Sequence, residues 1–146
     1  MTSPTRVLFL CTGNSARSQI AEALLKRKGG ARFEVASAGS RPAERVNPLA
    51  IEVLRQVGID WTGRAPKGLD AVLQEPWDLI ITVCDKARDA CPVFPGRPAT
   101  AHWGLPDPAE VEGTREDRMR AFEETRRALE GRIDLLLADL ARVRPS

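Results

Sequence analysis

The sequence contains no tyrosine, and its only histidine is His102. A site built on several imidazoles, such as a His-rich zinc centre, is thereby excluded. Cysteine is scarce and odd in number: Cys11, Cys84 and Cys91 do not suit a structural disulfide framework. In a reducing compartment such thiols are buried, ligating or catalytic. An excess of one charge is also lacking. The 22 basic and 20 acidic residues leave a net charge of +2, which gives no reason to expect a nucleic-acid or membrane partner. No apolar run approaches the roughly 20 residues of a membrane span. Met1–Arg6 is polar and Val7–Leu10 is too short for a signal-peptide core, so the cytoplasm is the expected location. The chain has no repeat, linker or low-complexity segment. Its 146 residues, with 42% apolar, fit one domain over residues 1–146 with a real core.

What is present is an alternation of strand and helix signals. Arg6–Leu10 reads as a short buried strand that runs into Cys11-Thr12-Gly13. Ser18–Lys28 carries Ile20, Ala21, Leu24 and Leu25 at helical spacing and stops at Gly29-Gly30. Phe33–Ala36 reads as a second strand, which makes a βαβ unit with parallel strands. Asn47-Pro48 opens a second helix, with Ala50, Ile51, Val53, Leu54 and Val57 on its apolar side and Gly58 as its stop. A loop follows at Thr62–Gly68, then a possible short helix at Leu69–Leu73. Asp78–Val83 is a third buried strand and it too ends in a cysteine, Cys84. Ala99–His102 is a short fourth strand, and Gly104–Gly113 is loop. Thr114 caps a long last helix to about Val143, whose buried stripe is Met119, Phe122, Leu129, Ile133, Leu136, Leu137 and Leu140. The expected fold is therefore α/β, a three-layer αβα arrangement around a four-stranded parallel sheet. Ligands of such sheets bind beyond the carboxyl ends of the strands, which places Cys11 and Cys84 on one rim.

The loop Cys11-Thr12-Gly13-Asn14-Ser15-Ala16-Arg17-Ser18 lies between a strand and a helix. Such a loop can turn successive N–H groups around a tetrahedral oxyanion, with a helix N-terminus behind it. Gly13 allows positive φ, and Asn14 tolerates it better than most residues. Arg17 follows Cys11 by six residues and can grip two oxyanion oxygens. These groups are expected to lower the pKa of Cys11, and Ser18 to donate to its sulfur. Phosphate, arsenate and sulfate, tetrahedral anions of similar size, all fit such a loop.

A Cys, five residues, Arg and Ser directly after a first strand resembles the low-molecular-weight tyrosine phosphatase fold. CTGNSARSQIAEA, with SAG at Ser37–Gly39, resembles the thioredoxin-coupled arsenate reductase branch of that family, and the resemblance covers nearly the whole chain. It implies that Asp107, in the Asp107-Pro108 pair, is the general acid that protonates the departing oxygen. The surrounding HWGLPDP segment resembles the same branch, and His102 and Trp103 are expected to pack or orient this loop.

Six residues separate Cys84 from Cys91. If Asp85–Ala90 is helical, the two thiols stand about 10 Å apart along the axis. A disulfide needs Cα atoms within about 7 Å, so a bond between them requires this segment to bend or melt. Read alone, Cys84 also fits an ordinary core position and Cys91 a half-exposed bystander. A metal site made of these two and His102 lacks the usual spacing and a fourth ligand. TVCDKARDACP resembles the reductase branch, which implies that Cys84 and Cys91 are its redox pair.

The resemblance thus implies arsenate as substrate, with phosphate or sulfate competing. Cys11 would be the nucleophile, Cys84 and Cys91 would carry the oxidation away, and an external thioredoxin would reset the enzyme, with no bound cofactor or metal and a monomeric chain. One alternative is a phosphatase acting on aryl phosphates or phosphotyrosine with Cys11, Arg17 and Asp107 alone. Against it, Ala109-Glu110 stand where phosphatases of this fold place aromatics. Another is a non-catalytic thiol sensor. A small-thiol reductase using glutathione or mycothiol would leave Cys84 and Cys91 unexplained. Some members of the branch hold potassium with residues that match Asn14, Glu22 and Ser37 plus an acid from the loop after the second helix. Here that loop reads Gly63-Arg64-Ala65-Pro66-Lys67, so Lys67 is expected to supply the positive charge.

Overall fold

A computed structural model describes residues 3–143; Met1 and Thr2 of the polar start, and residues 144–146, lie outside the described residues. Strand β1 (Thr5–Cys11), strand β2 (Phe33–Gly39), strand β3 (Leu79–Thr82) and strand β4 (Ala99–His102) form one sheet of order β2-β1-β3-β4. All three neighbouring pairs are parallel. Central β1 is covered on both faces, which is why Val7, Leu8, Phe9 and Leu10 form an unbroken apolar run, all buried. β4 is one of the two edge strands, and its first residues, Ala99 and Thr100, are exposed.

Helix α1 (Arg17–Gly29) and helix α2 (Pro48–Arg55) pack on each other and on helix α4 (Arg115–Val143), while helix α3 (Asp85–Asp89) packs on β1 and β3. This is the expected three-layer α/β arrangement. The caps follow the sequence. The Asn47 side chain accepts from Leu49 N–H at 2.9 Å and Pro48 takes the first helical position. Thr114 and Asp117 cap the start of α4 reciprocally, each side chain accepting the other's backbone N–H at 3.1 Å. Phe122, Leu129 and Ile133 form the fully buried part of the α4 stripe.

Two expectations need correction. α2 ends at Arg55, so Val57 lies past it and is exposed, beside the turn at Gly58 with φ 83°. Leu69–Leu73 contains only a 3-10 turn, Leu69–Ala71, too short to pay the cost of nucleating an α-helix. The burial along α1 is more telling. Beside the expected apolar residues it buries Ser18, Gln19 and Glu22, polar groups that must find partners at the carboxyl end of the sheet.

The order of the strands reverses around β1: the chain moves to β2 on one side and to β3 on the other. The crevice at such a switch point lies outside the carboxyl ends of β1 and β3. Cys11 is the last residue of β1, and Cys84 follows β3 by two residues.

Candidate active site

The loop after β1 is seated by its carbonyls. Those of Cys11, Thr12, Gly13 and Ser15 accept from Ser40, Arg41, Ala43 and Asn47 at 2.8–3.2 Å. In a planar trans peptide the carbonyl of one residue points opposite to the N–H of the next. The N–H groups of Thr12, Gly13, Asn14 and Ala16 are therefore turned to the other, concave side. That of Asn14 reaches Cys11 Sγ at 3.1 Å. Of the two loop residues suited to a left-handed turn, Asn14 makes it, with φ 51°, and Gly13 does not. Asn14 can hold it because its side chain is fully committed by hydrogen bonds. The seat itself is Gly39, where a Cβ would lie 2.4 Å from the Thr12 carbonyl oxygen and 2.9 Å from Asn14 N.

Behind the sulfur runs a buried polar chain. Cys11 Sγ meets Ser18 Oγ at 2.7 Å, and Asn14 Nδ2 donates to Ser18 Oγ at 2.8 Å and Ser37 Oγ at 2.9 Å. Ser37 donates to Glu22 Oε1 at 2.6 Å. Glu22 is 2% exposed, and its charge is answered by Lys26 Nζ at 2.8 Å and Lys67 Nζ at 4.0 Å. Lys67 thus stands where expected, but the nearer cation is Lys26. Asn14 Oδ1 accepts from Gln19 Nε2 and the Lys67 N–H, and Gln19 in turn accepts from Trp61 Nε1.

Cys11 is 3% exposed, and burial pushes its thiol up from the ordinary value of 9.0. Hydrogen bonds from Ser18 and Asn14 pull it down, and nearby Cys84 pushes it further up. The expected lowering is therefore not present. Its main cation is turned away: Arg17 donates to the Leu105 carbonyl at 2.8 Å and lies 3.7 Å from Asp107 Oδ2.

Arg17 and Asp107 face each other across a cleft of about 490 Å³, lined also by Thr12, Cys84, Asp85, Lys86 and Glu110. No aromatic side chain lines it. The other Asp107 oxygen accepts from Ala109 N–H at 2.9 Å, which opens a 3-10 turn at Pro108–Glu110 and fixes the carboxyl's direction. The loop is led here by the sheet, because Trp103 N–H and Leu105 N–H bond the carbonyls of Thr82 and Val83.

Thr12 Oγ1 meets Cys84 Sγ at 3.3 Å. Cys84 is buried and caps α3, its sulfur accepting from Ala87 N–H at 3.4 Å. Cys91 lies just beyond the far end of α3, half-buried, and burial raises its thiol as well. All three cysteines are free. His102 stands at the start of the Asp107 loop, where a Cβ on Gly104 would lie 3.0 Å from its Nε2. It contacts Thr82 and Asp85, while Trp103 packs on Phe9 with ring centroids 5.8 Å apart. Among the described residues no group of three or more His, Cys, Asp or Glu side chains could hold a metal ion.

Sequence reasoning missed Gln19, Trp61, Lys26 and the lining residues Asp85, Lys86 and Glu110. Lys26 had a signal, its i,i+4 spacing from Glu22 on a helix. The Thr12–Cys84 contact, between residues 72 apart, was signalled only by the topology that puts Cys11 and Cys84 on one rim.

The chain can now be set beside known proteins. An arsenate reductase of Halalkalibacterium halodurans is 40% identical over 127 residues, covering 87% of this chain and 91% of that protein. The structure of a thioredoxin-dependent arsenate reductase of Corynebacterium glutamicum aligns with TM-score 0.75 and 34% identity, over 99% of this chain but only 66% of that longer one. A tyrosine phosphatase of Erwinia amylovora aligns with TM-score 0.73 and 25% identity, over 90% of this chain and 89% of that one. The family model of low molecular weight phosphotyrosine protein phosphatases matches residues 6–146, and the chain belongs to that family.

Proposed function

We propose that this protein reduces arsenate to arsenite through a three-cysteine relay in one domain, and that a thioredoxin-type dithiol resets it. The observation that carries this reading is the 3.3 Å contact between Thr12 Oγ1 and Cys84 Sγ, which puts a second thiol on the edge of the oxyanion loop. The free third cysteine beyond α3 supplies the last member. The arsenate reductases it resembles support the substrate. Free thiols suit the reducing cytoplasm, and no helix among the described residues is long and apolar enough to cross a membrane.

Arsenate enters the loop against the inward N–H groups of Thr12–Ser18, and Arg17 swings from the Leu105 carbonyl onto its oxygens. Because burial keeps the Cys11 thiol protonated, the bound oxyanion takes its proton. Cys11 Sγ then attacks arsenic. Asp107 protonates the departing oxygen, which leaves as water, and an S–As(V) bond has formed. Cys84 attacks Cys11 Sγ. The S–As bond breaks, its electron pair reduces arsenic to As(III), and arsenite leaves behind a Cys11–Cys84 disulfide. Cys91 attacks Cys84, frees the Cys11 thiolate and leaves a Cys84–Cys91 disulfide, which an external dithiol reduces by exchange. Phosphate and sulfate compete for the same loop.

A residual aryl phosphatase activity would use Cys11, Arg17 and Asp107 alone. The cleft without aromatic lining disfavours it as the main role. The deciding assay is arsenite production with thioredoxin, thioredoxin reductase and NADPH, run beside glutathione with glutaredoxin. The expected result is turnover with the first system only, lost in Cys84→Ser, while any aryl-phosphate hydrolysis survives. Normal turnover of Cys84→Ser would sink the relay.

A further inference from the structure

Thr82, the last residue of β3, is paired in register with His102, the last residue of β4. Their side chains meet, Thr82 Oγ1 to His102 Nδ1 at 2.7 Å. On its other side His102 Nε2 lies 2.8 Å from Asp85 Oδ1. The proton inventory of this bridge closes. An ionised Asp85 can only accept, so Nε2 carries hydrogen, and in a neutral ring Nδ1 then accepts from the Thr82 hydroxyl. The imidazole is thereby fixed to the sheet at one nitrogen and holds a carboxylate at the other.

Asp85 is the residue directly after Cys84 and the first of α3. Cys84 is fixed from three directions: β3 behind it, Thr12 beside its sulfur, and the Ala87 N–H it caps. Five residues make a single short helix with little stability of its own. Beside that cap and the buried Ala87 side chain, the polar side-chain contact that joins its first turn to the sheet is the one from Asp85 to His102. The backbone beside the pair leaves no slack. A Cβ at Gly104 would sit 3.0 Å from His102 Nε2 and 3.4 Å from Asp85 Oδ1, so the Gly104 position closes over the bridge without entering it.

We propose that His102 is a positioning residue for Cys84. Acting through Asp85, it clasps the first turn of α3 to the sheet and holds the second thiol against the oxyanion loop while Cys11 reacts. The inference rests on the relay proposed above. In that relay the clasp serves the first sulfur transfer, and it must yield before the second. Cys84 and Cys91 stand at opposite ends of α3, and an intact helix separates such positions by about 10 Å along its axis, beyond disulfide reach. Asp85 is 73% exposed on its side chain, so the contact is one that water can replace, as a contact that must open requires.

The test uses Cys91→Ser as background, where reaction stops at the Cys11–Cys84 disulfide, and follows the arsenite burst in a single turnover. Adding His102→Ala should slow the burst by about fourfold, as expected for loss of an exposed contact worth just under ~1 kcal/mol. The arsenate concentration at half-maximal rate, set by the loop, should move less than about twofold. His102→Gln can still donate to Asp85 and should restore most of the rate. Asp85→Ala, at an exposed site, should match His102→Ala, and the double variant should be no slower than either. Hydrogen exchange of reduced protein gives an activity-free reading: His102→Ala should speed exchange across residues 85–90. An unchanged burst rate in His102→Ala, or equal slowing in His102→Gln, overturns the clasp, as does unchanged exchange. If the Cys91→Ser background itself yields no burst, the relay has failed, and the clasp loses its role with it even if the exchange result stands.

Discussion

Asn14 bonds to Cys11, Ser18, Gln19, Ser37 and Lys67, all within a few ångströms of one buried sulfur. Asp85, at the head of α3, has one contact to His102, and most of the helix's other polar residues are exposed. Both regions rise from adjacent strand ends, yet one is over-determined and the other barely tied. The difference follows from what each must do. A loop that grips an oxyanion needs its N–H groups fixed before the ligand arrives, because reorganisation costs binding energy. A segment that brings two distant thiols together must come apart, and segments that move belong to the low-stability part of a structure. Placing a rigid nucleophile beside a loosely held partner lets one site do both.

The largest break in this comparison is expected from Cys91→Ser. It removes the destination of the loose segment and leaves the rigid loop intact. One arsenite per enzyme should form, followed by arrest with a Cys11–Cys84 disulfide, seen by peptide mapping without reductant. Sustained turnover with thioredoxin would make Cys91 a bystander. Next in size is Asn14→Ala, which leaves the Lys67 N–H without its acceptor and takes one bond each from Ser18, Ser37 and Gln19 in a buried site. A cost of about 3 kcal/mol, or roughly 10 °C in Tm, is expected from these lost bonds. Asp85→Ala should move Tm by less than about 1 kcal/mol's worth, since exposed pairs contribute little. If the two variants melt alike, the contrast between the regions is lost.

A subtler effect concerns the thiol's proton. Wild-type Cys11 should react with iodoacetamide along a pH profile whose midpoint lies above 9.0, since burial favours the neutral form. Ser18→Ala removes the strongest of the bonds that lower this pKa, so the midpoint should move up further. A downward move would mean that Ser18 stabilises the thiol and not the thiolate. The smallest effect is expected from potassium. With Lys26 and Lys67 already facing Glu22, activities in potassium and sodium at equal ionic strength should agree within about twofold.

How legible was all this in the chain itself? The loop was, because Cys11, Arg17 and Ser18 are neighbours in sequence and strand and helix signals bracket them. The four strands and the Thr114 cap were legible for the same reason: their signals are local. Sequence left the left-handed turn open between Gly13 and Asn14, because the five partners that hold Asn14 are not visible in it. The Cys11 proton was misjudged on similar grounds. Sequence displays the groups that lower a pKa; it does not display desolvation, or the carbonyl of Leu105 that draws Arg17 aside. The bond from His102 to Asp85 was not legible, because the strand register and the turn after β3 set it.

The parallel pairing of β1 with β3 has one more consequence. The ladder continues past the end of β3, with Val83 N–H on the Leu10 carbonyl at 2.9 Å, and Cys11 and Cys84 each follow one residue later. In the proposed relay the first electron pair therefore crosses sideways between neighbouring strands, a gap set by the sheet at about 4.8 Å. The second travels lengthwise, through a helix that must be unmade. The two hops draw on separate parts of the molecule. Substitutions that alter sheet twist would detune the first alone, and insertions into α3 would detune the second alone. A lineage could thus lengthen or shorten the reach to its reductant while the distance between the first two sulfurs stayed constant.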